Sequence, residues 1–146
     1  RLSQIKRGGD YVINLMENII RDNAVTIHTN TPPDDANIIC KNVGTSASGT
    51  SLYFLDKNKN WFGYLATVNS IASTSANLAS PINLTSSKTI VSNFSIYCSR
   101  NSIFSPAAIL FSFDICHDTG SGICTSIRPE EITSIHYQTR IKLRSY

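Results

Sequence analysis

Charged residues are scarce in this sequence, and so are the residue types that most often perform catalysis. Only 16% of the 146 residues are charged, and three are histidines. Ser, Thr and Asn are abundant instead, so uncharged polar side chains are expected to cover much of the surface. Such a composition favours strands and loops and is common in exported proteins. The length fits a single domain spanning residues 1–146.

The sequence also lacks a dense basic segment. Its formal net charge of +3 comes mainly from Lys and Arg near the two ends, with a nearly neutral middle. A nucleic-acid-binding domain usually carries a denser basic face interleaved with aromatic residues. The mild excess of positive charge is therefore typical of an ordinary solvated surface.

Catalytic motifs are absent as well. His28, His117 and His136 do not stand in a Gly-x-Ser-x-Gly context, and no phosphate-binding glycine loop occurs. The paired acids at residues 34–35 and 130–131 lie beside prolines, where exposed loops are the common outcome. We therefore expect a protein that is not an enzyme, with no small-molecule substrate and no cofactor.

Two weak metal motifs fail on inspection. Cys116-His117 with Cys124 offers zinc ligands only if the thiols are reduced. Residues 56–60 begin like a calcium loop, but Trp61 occupies the glycine position and Thr67 the position of the bidentate acid. We expect no metal and interpret residues 56–60 as a turn.

The four cysteines form no Cys-x-x-Cys pair, which disfavours zinc-ribbon and thioredoxin-like sites. An even number of cysteines fits two disulfides in an oxidising compartment. Three connectivities are possible, and we favour Cys116 with Cys124 and Cys40 with Cys98.

No run approaches the roughly 20 apolar residues that a membrane-spanning helix needs. The chain opens at Arg1 within a helical pattern and without Met. We expect an upstream segment that carries the export signal.

The first 23 residues carry a helical pattern. Apolar pairs recur every four residues between residues 10 and 23, which predicts an amphipathic helix; they are Tyr11, Val12, Leu15, Met16, Ile19 and Ile20. Leu2 and Ile5 extend the stripe, while Gly8-Gly9 predicts a kink or a break with Asp10 as a new N-cap.

Short β-rich runs follow in residues 24–146. Segments 51–55 and 61–66 flank the polar turn and predict one hairpin, and alternation in 90–98 and 109–115 predicts a second. Residues 135–143 predict a last strand with one cationic face. Residues 31–35 and 44–50 are interpreted as exposed loops, and residues 68–87 are left undecided between loop and short helix. The pattern predicts an α+β fold with the helix on one face of an antiparallel sheet.

Aromatic residues cluster on the first predicted hairpin, where Tyr53, Trp61 and Tyr64 stand with two phenylalanines. Alternation turns about half of them inward, so core packing is favoured over an adhesive face. The outward members are candidates for contact with a ligand or a second subunit.

Three stretches resemble the type IV pilin and type II secretion pseudopilin superfamily. DYVINLMENIIR at residues 10–21 is similar to the exit of a pilin helix, residues 84–98 to a minor-pilin strand, and residues 137–146 to a closing strand. The family's basic leader, which precedes an apolar helix, is not among these residues. The resemblance implies a pilin-like head in which residues 1–23 are the C-terminal part of the long helix and residues 24–146 form sheet and loops.

The same resemblance implies a structural role. The chain would be a minor pilin or pseudopilin in a filament used for adhesion, twitching motility, DNA uptake or secretion. It would sit in the membrane through the missing helix, then join other pilin subunits in an extracellular filament that meets a host surface or DNA. Leu2, Ile5, Lys6 and Arg7 would lie near neighbouring subunits. The alternative is a secreted carbohydrate- or surface-binding module built on the aromatic hairpin.

Overall fold

A computed structural model describes residues 2–118, 120 and 134–144 of the chain. One α-helix comes first and strands follow. The elements are α1 (Leu2–Asn23), β1 (Thr26–His28), a 3-10 turn (Asp35–Asn37), β2 (Ile38–Ile39), β3 (Thr45–Gly49), β4 (Ser51–Leu55), β5 (Trp61–Thr67), β6 (Ser70–Ser75), β7 (Ile82–Asn83), β8 (Thr89–Arg100), β9 (Ala108–His117) and β10 (Ser134–Lys142).

The strands form two antiparallel sheets rather than the single sheet that was expected. The larger sheet has the order β2-β1-β4-β5-β6-β7 and the smaller has the order β10-β9-β8-β3. Helix α1 packs on β10 and β9 of the smaller sheet. The α+β class and the helix-on-sheet arrangement are thus confirmed, and the number of sheets was wrong.

One edge strand of the smaller sheet, β3, lies in a segment that was predicted to be an exposed loop. Residues Thr45–Gly49 are mostly exposed, as expected, but their backbone pairs with β8 from Thr45 opposite Arg100 to Gly49 opposite Ile96. The small side chains of this segment show no apolar alternation. This strand therefore forms through backbone pairing with β8, and no pattern in the sequence predicts it.

Helix α1 runs without interruption from Leu2 to Asn23, so a break at Gly8-Gly9 with Asp10 as a new N-cap is absent. Its core face consists of Ile5, Val12, Met16 and Ile20, all fully buried. The predicted stripe was too wide, since Tyr11 is 55% exposed. No helix in the described part of the chain is long and apolar enough to cross a membrane.

Both predicted hairpins are present. Strands β4 and β5 pair from Ser51–Leu65 to Leu55–Trp61, and β8 and β9 pair along most of their length. The predicted last strand is β10, which pairs with β9 over nine residues. The undecided segment 68–87 contains two strands, β6 and β7. Strand β6 pairs with β5 and β7 pairs with β6, and the polar composition of the segment gave no indication of this pairing.

A disulfide joins Cys40, just after β2 in the larger sheet, to Cys98 in β8 of the smaller sheet. This predicted pair is confirmed. Both residues are buried within the core that α1 and the two sheets share. The other predicted pair, Cys116 with Cys124, lies outside the described residues because Cys124 is not among them.

Candidate functional site

Helix α1 and strand β10 contact each other closely at Gly9 and Tyr137. The ring of Tyr137 lies against Gly9, where a β-carbon would collide with it. The Tyr137 hydroxyl donates to the carbonyl oxygen of Lys6 at 3.0 Å and to the Asp10 carboxylate at 3.2 Å. Glycine at this position lets the tyrosine reach the helix backbone, so a residue with poor helix propensity is retained in mid-helix.

This environment also changes the acidity of the tyrosine. Desolvation and the nearby Asp10 carboxylate raise the pKa of Tyr137 to about 12. Its ring stacks on Phe113 with centroids 5.3 Å apart. Tyr137 therefore couples the helix to the sheet by packing and by hydrogen bonds at once.

The predicted contact residues of the helix divide into two groups. Ile5 is fully buried in the core, whereas Lys6 and Arg7 are exposed. Leu2 lies in the first turn of α1, and its side chain is outside the described part. Of these four residues, only Lys6 and Arg7 have side chains that are exposed in the described part of the chain.

A shallow groove runs beside that surface, between α1 and the segment before β8. It has a volume of about 500 Å³ and is lined by Gln4, Arg7, Gly8, Tyr11, Leu84, Ser86, Lys88 and Thr89. Most of its wall is apolar despite the basic residues at its edge. Tyr11, which was predicted to belong to the apolar stripe of the helix, is exposed and lines this groove instead of the core.

The predicted aromatic contact residues lie on both faces of the β4–β5 hairpin. Tyr64 is 2% exposed and belongs to the core. Tyr53 and Trp61 are half-buried on the other face and meet edge to face, with ring centroids 6.1 Å apart. Gly63, opposite Tyr53 in the register, leaves room for the tyrosine ring.

His28 is the one histidine that the structure buries completely. Its Nδ1 lies 2.6 Å from Oδ1 of Asn37, and its Nε2 lies 2.7 Å from the Thr26 hydroxyl. An amide oxygen only accepts, so Nδ1 carries the proton and Nε2 accepts from Thr26. With both ring nitrogens engaged, His28 anchors the 31–37 loop to β1.

His136 stands in a polar row on the exposed face of the smaller sheet. Its Nδ1 lies 2.7 Å from Oδ1 of Asp114, and Asn93 donates to Oδ2 of that carboxylate at 2.8 Å. Asn93 has a positive φ where the β8–β9 register shifts, and this bulge aims its amide at Asp114. The Asn93 hydrogen bond and His136 hold the pKa of Asp114 below its usual value.

Among the residues that the structure describes, no serine hydroxyl is hydrogen-bonded to a histidine, and Ser95 and Ser112 instead bond each other at 2.9 Å. Nδ1 of His117 is buried and has no hydrogen-bond partner within the part of the chain that the structure describes. Asp114 and His136 form a hydrogen-bonded acid–base pair, and Ser92 is the partner of Asp114 on β8 in the sheet register.

The 56–60 segment is a turn, as predicted. The Asp56 carboxylate accepts from the backbone N–H groups of Asn58 at 2.8 Å and Asn60 at 3.0 Å, and Lys59 adopts positive φ. Within residues 2–118, 120 and 134–144, no three His, Cys, Asp or Glu side chains converge as metal ligands would.

Two smaller clefts lie where β8 ends and β9 begins, and sequence reasoning predicted neither of them. One, of about 210 Å³, opens between the sheets and is lined mainly by apolar residues beside Lys41 and Arg100. The other, of about 200 Å³, contains Tyr97, Asn101 and Arg140. The apolar pair Ile103-Phe104 in the intervening loop is a sequence feature that was not singled out.

Comparison with known proteins adds no further constraint, because no family model, curated protein or solved structure matches this chain.

Proposed function

We propose that this chain is the head of a minor type IV pilin or of a related type II secretion pseudopilin. In this proposal it is a structural filament subunit and not an enzyme. The supporting observation is an amphipathic N-terminal helix that lies along the last strand of an antiparallel sheet. That order of elements is what the resemblance implies for a pilin-like head.

The helix is suited to contact neighbouring subunits on its outer side. Its 22 residues span about 33 Å at 1.5 Å per residue. One face is buried by Ile5, Val12, Met16 and Ile20, and the other leaves Lys6, Arg7 and Tyr11 exposed. The groove beside Arg7 and Tyr11 gives a second subunit an apolar surface with a basic rim.

The disulfide supports the compartment that the proposal requires. Cys40–Cys98 closes a separation of 58 residues, and such bonds persist in oxidising surroundings. The proposed location is an extracellular cell-surface filament, with the subunit held in the membrane before assembly. The proposed partners are other pilin subunits, and the assembled filament would meet a host surface or DNA.

The groove allows a sharp test of the subunit role. Arg7→Glu reverses a charge at the groove, and Lys57→Glu makes the same change at the exposed β4–β5 turn. We expect Arg7→Glu to lower the fraction of this chain recovered in sheared filaments at least tenfold, with Lys57→Glu near wild type. Equal recovery of both variants would count against a subunit interface at α1.

A simpler test concerns the gene. A filament subunit of this kind requires a long apolar helix ahead of residue 1, so the coding sequence upstream should encode one behind a short basic leader. A start codon that leads directly into Arg1 would end the proposal.

The Tyr53–Trp61 pair favours a second candidate, a secreted carbohydrate- or surface-binding module. Half-exposed aromatic side chains on a rigid hairpin can stack on a sugar ring. Trp61→Ala would then abolish binding on a glycan array, while Tyr11→Ala, which removes an exposed aromatic residue elsewhere, would leave it intact. Binding that survives Trp61→Ala would exclude the hairpin as the site.

A further inference from the structure

The loop between β8 and β9 presents two large apolar side chains to solvent. Ile103 is 65% exposed and Phe104 is 83% exposed. The loop is an ordered turn, because the Phe104 N–H donates to the Ser102 hydroxyl at 3.0 Å and the Ser105 N–H to the Ser102 carbonyl at 3.3 Å. Adjacent apolar residues held outward at a loop tip mark an interaction surface.

Basic residues surround this loop. Lys142 pairs with Ala108 and Arg140 with Leu110, which places both at the end of β9 that follows the loop. From the other side, Arg100 donates to the carbonyl oxygen of Lys41 at 2.6 Å. The topology thus gathers side chains that are distant in sequence, and we call this surface the basic end; it consists of Lys41, Val43, Ile103, Phe104, Arg140 and Lys142.

The basic end carries no acidic residue of its own. The three segments that build it, residues 36–55, 89–113 and 134–144, contain no Asp or Glu. In the described part of the chain, Lys41, Arg140 and Lys142 form no ion pair, whereas Arg21 is paired with Glu17 and Arg144 with Asp22. The positive charge of this surface is therefore available to an anionic partner.

The apolar groups continue around the loop tip. Val43 is 45% exposed in the turn before β3, which is joined to this end by the bond from the Gly44 N–H to the Arg100 carbonyl. Tyr97, 40% exposed, shares a cleft with Arg140. The surface thus combines a projecting apolar centre with a basic surround.

We propose that the basic end binds the surface of membranes that contain anionic phospholipids. Ile103 and Phe104 enter the boundary between headgroups and acyl chains, and Lys41, Arg140 and Lys142 remain at the level of the phosphates. A soluble polyanion would neutralise the cations and leave both apolar side chains in water. A bilayer satisfies both groups, which is why the combination favours lipid. The proposal concerns the head alone and does not rest on the filament function.

Vesicle sedimentation tests this directly. The chain is mixed with vesicles of phosphatidylcholine alone or of phosphatidylcholine and phosphatidylglycerol in equal parts. We expect binding to the anionic vesicles only, weakened by added salt. Equal binding to both vesicles, or no binding to the anionic ones, would overturn the proposal.

Matched variants separate the two contributions. Two double variants should each lower the partition constant at least tenfold; they are Ile103→Ser with Phe104→Ser, and Arg140→Gln with Lys142→Gln. For the second variant the expectation follows from charge, since one basic residue near the membrane surface accounts for about a fivefold effect. The controls are Val68→Ser, which removes an exposed valine at the β5–β6 turn, and Lys57→Gln with Lys59→Gln at the β4–β5 turn. Controls that lose binding equally would place the contact elsewhere.

A spectroscopic variant reports on insertion without removing the apolar tip. Phe104→Trp in a Trp61→Phe background has one tryptophan, at the loop. Its emission should shift to shorter wavelength on adding anionic vesicles and remain unchanged with a soluble polyanion such as heparin. A shift with heparin and none with vesicles would contradict lipid binding and favour an acidic polymer as the ligand.

Discussion

Tyr137 of β10 lies against Gly9 of α1, and no larger residue fits beneath its ring. The same tyrosine donates to the Lys6 carbonyl one turn earlier in the helix. Gly9, which would ordinarily weaken a helix, thus permits one of the contacts that hold the helix on the sheet. Packing gained at Tyr137 offsets the poor helix propensity of Gly9.

Substitution of the two glycines should have opposite effects. Gly9→Ala should lower the free energy of unfolding by about 1–3 kcal/mol, because the methyl group displaces the Tyr137 ring. At Gly8 the nearest atom to an added β-carbon is Cδ1 of Ile115 at 3.9 Å, an ordinary contact. Gly8→Ala should therefore raise stability by up to about 1 kcal/mol. Urea unfolding measures both values.

A double variant shows whether the ring causes the loss. Gly9→Ala should cost much less in a Tyr137→Ala background than in the wild-type chain, since the colliding ring is gone. An equal cost in both backgrounds would show that the tyrosine is not responsible.

Tyr137 should also ionise late. With its pKa raised to about 12, it remains a neutral phenol through the range near pH 10 where an unperturbed tyrosine titrates. Ionised tyrosine absorbs near 295 nm, and Tyr137→Phe removes the contribution of this residue. The difference in absorbance between the wild-type chain and the variant, measured on the folded protein as the pH rises, should therefore have its midpoint near pH 12. The corresponding stability is present below pH 10 and disappears as the pH rises toward 12. A midpoint near pH 10 would contradict the environment described for this hydroxyl.

The disulfide between the sheets should contribute a large share of the stability. Closing a 58-residue separation restricts the unfolded chain by about 4 kcal/mol in the chain-entropy treatment. Cys40→Ala with Cys98→Ala should lower the free energy of unfolding by about 2–5 kcal/mol, as measured in denaturant. A loss below about 1 kcal/mol would indicate that the sheets are held together without it.

Asp114 should make stability sensitive to acid. Its pKa in the folded protein is held below the unfolded value, first by the Asn93 hydrogen bond and then by His136. The resulting stability is fully present above about pH 4 and is lost as the pH falls through the folded pKa. Asp114→Asn should be less stable than wild type at pH 7, and the difference should shrink toward pH 2. A constant difference would mean that ionisation of Asp114 does not contribute.

Elements with strong apolar alternation could be predicted from the sequence. The β4–β5 and β8–β9 hairpins and β10 follow such patterns, and the burial of β9 alternates as its sequence does. The helix was also evident, although nothing local indicated that Gly9 contacts Tyr137, 128 positions away along the chain. Contacts of that kind leave no local signal.

Strands built from small polar residues could not be predicted. Both β3 and β6 draw their order from backbone pairing with β8 and β5. The basic end could not be predicted either. Lys41, Ile103 and Lys142 are far apart in the sequence, and only the topology of the two sheets brings them to one end of the molecule. Cys40–Cys98 was predicted because Cys116 and Cys124 were expected to close a short glycine-containing loop, which leaves Cys40 and Cys98 to pair.

Recovery of this chain from surface filaments tests the central claim most directly. Filaments sheared from the cells that produce the protein would be separated from membranes and soluble protein, then digested and examined by mass spectrometry. The proposed function predicts peptides of this chain in the filament fraction, at lower abundance than the major subunit, with Cys40 still linked to Cys98. Recovery only from the soluble secreted fraction, with none in filaments, would contradict it.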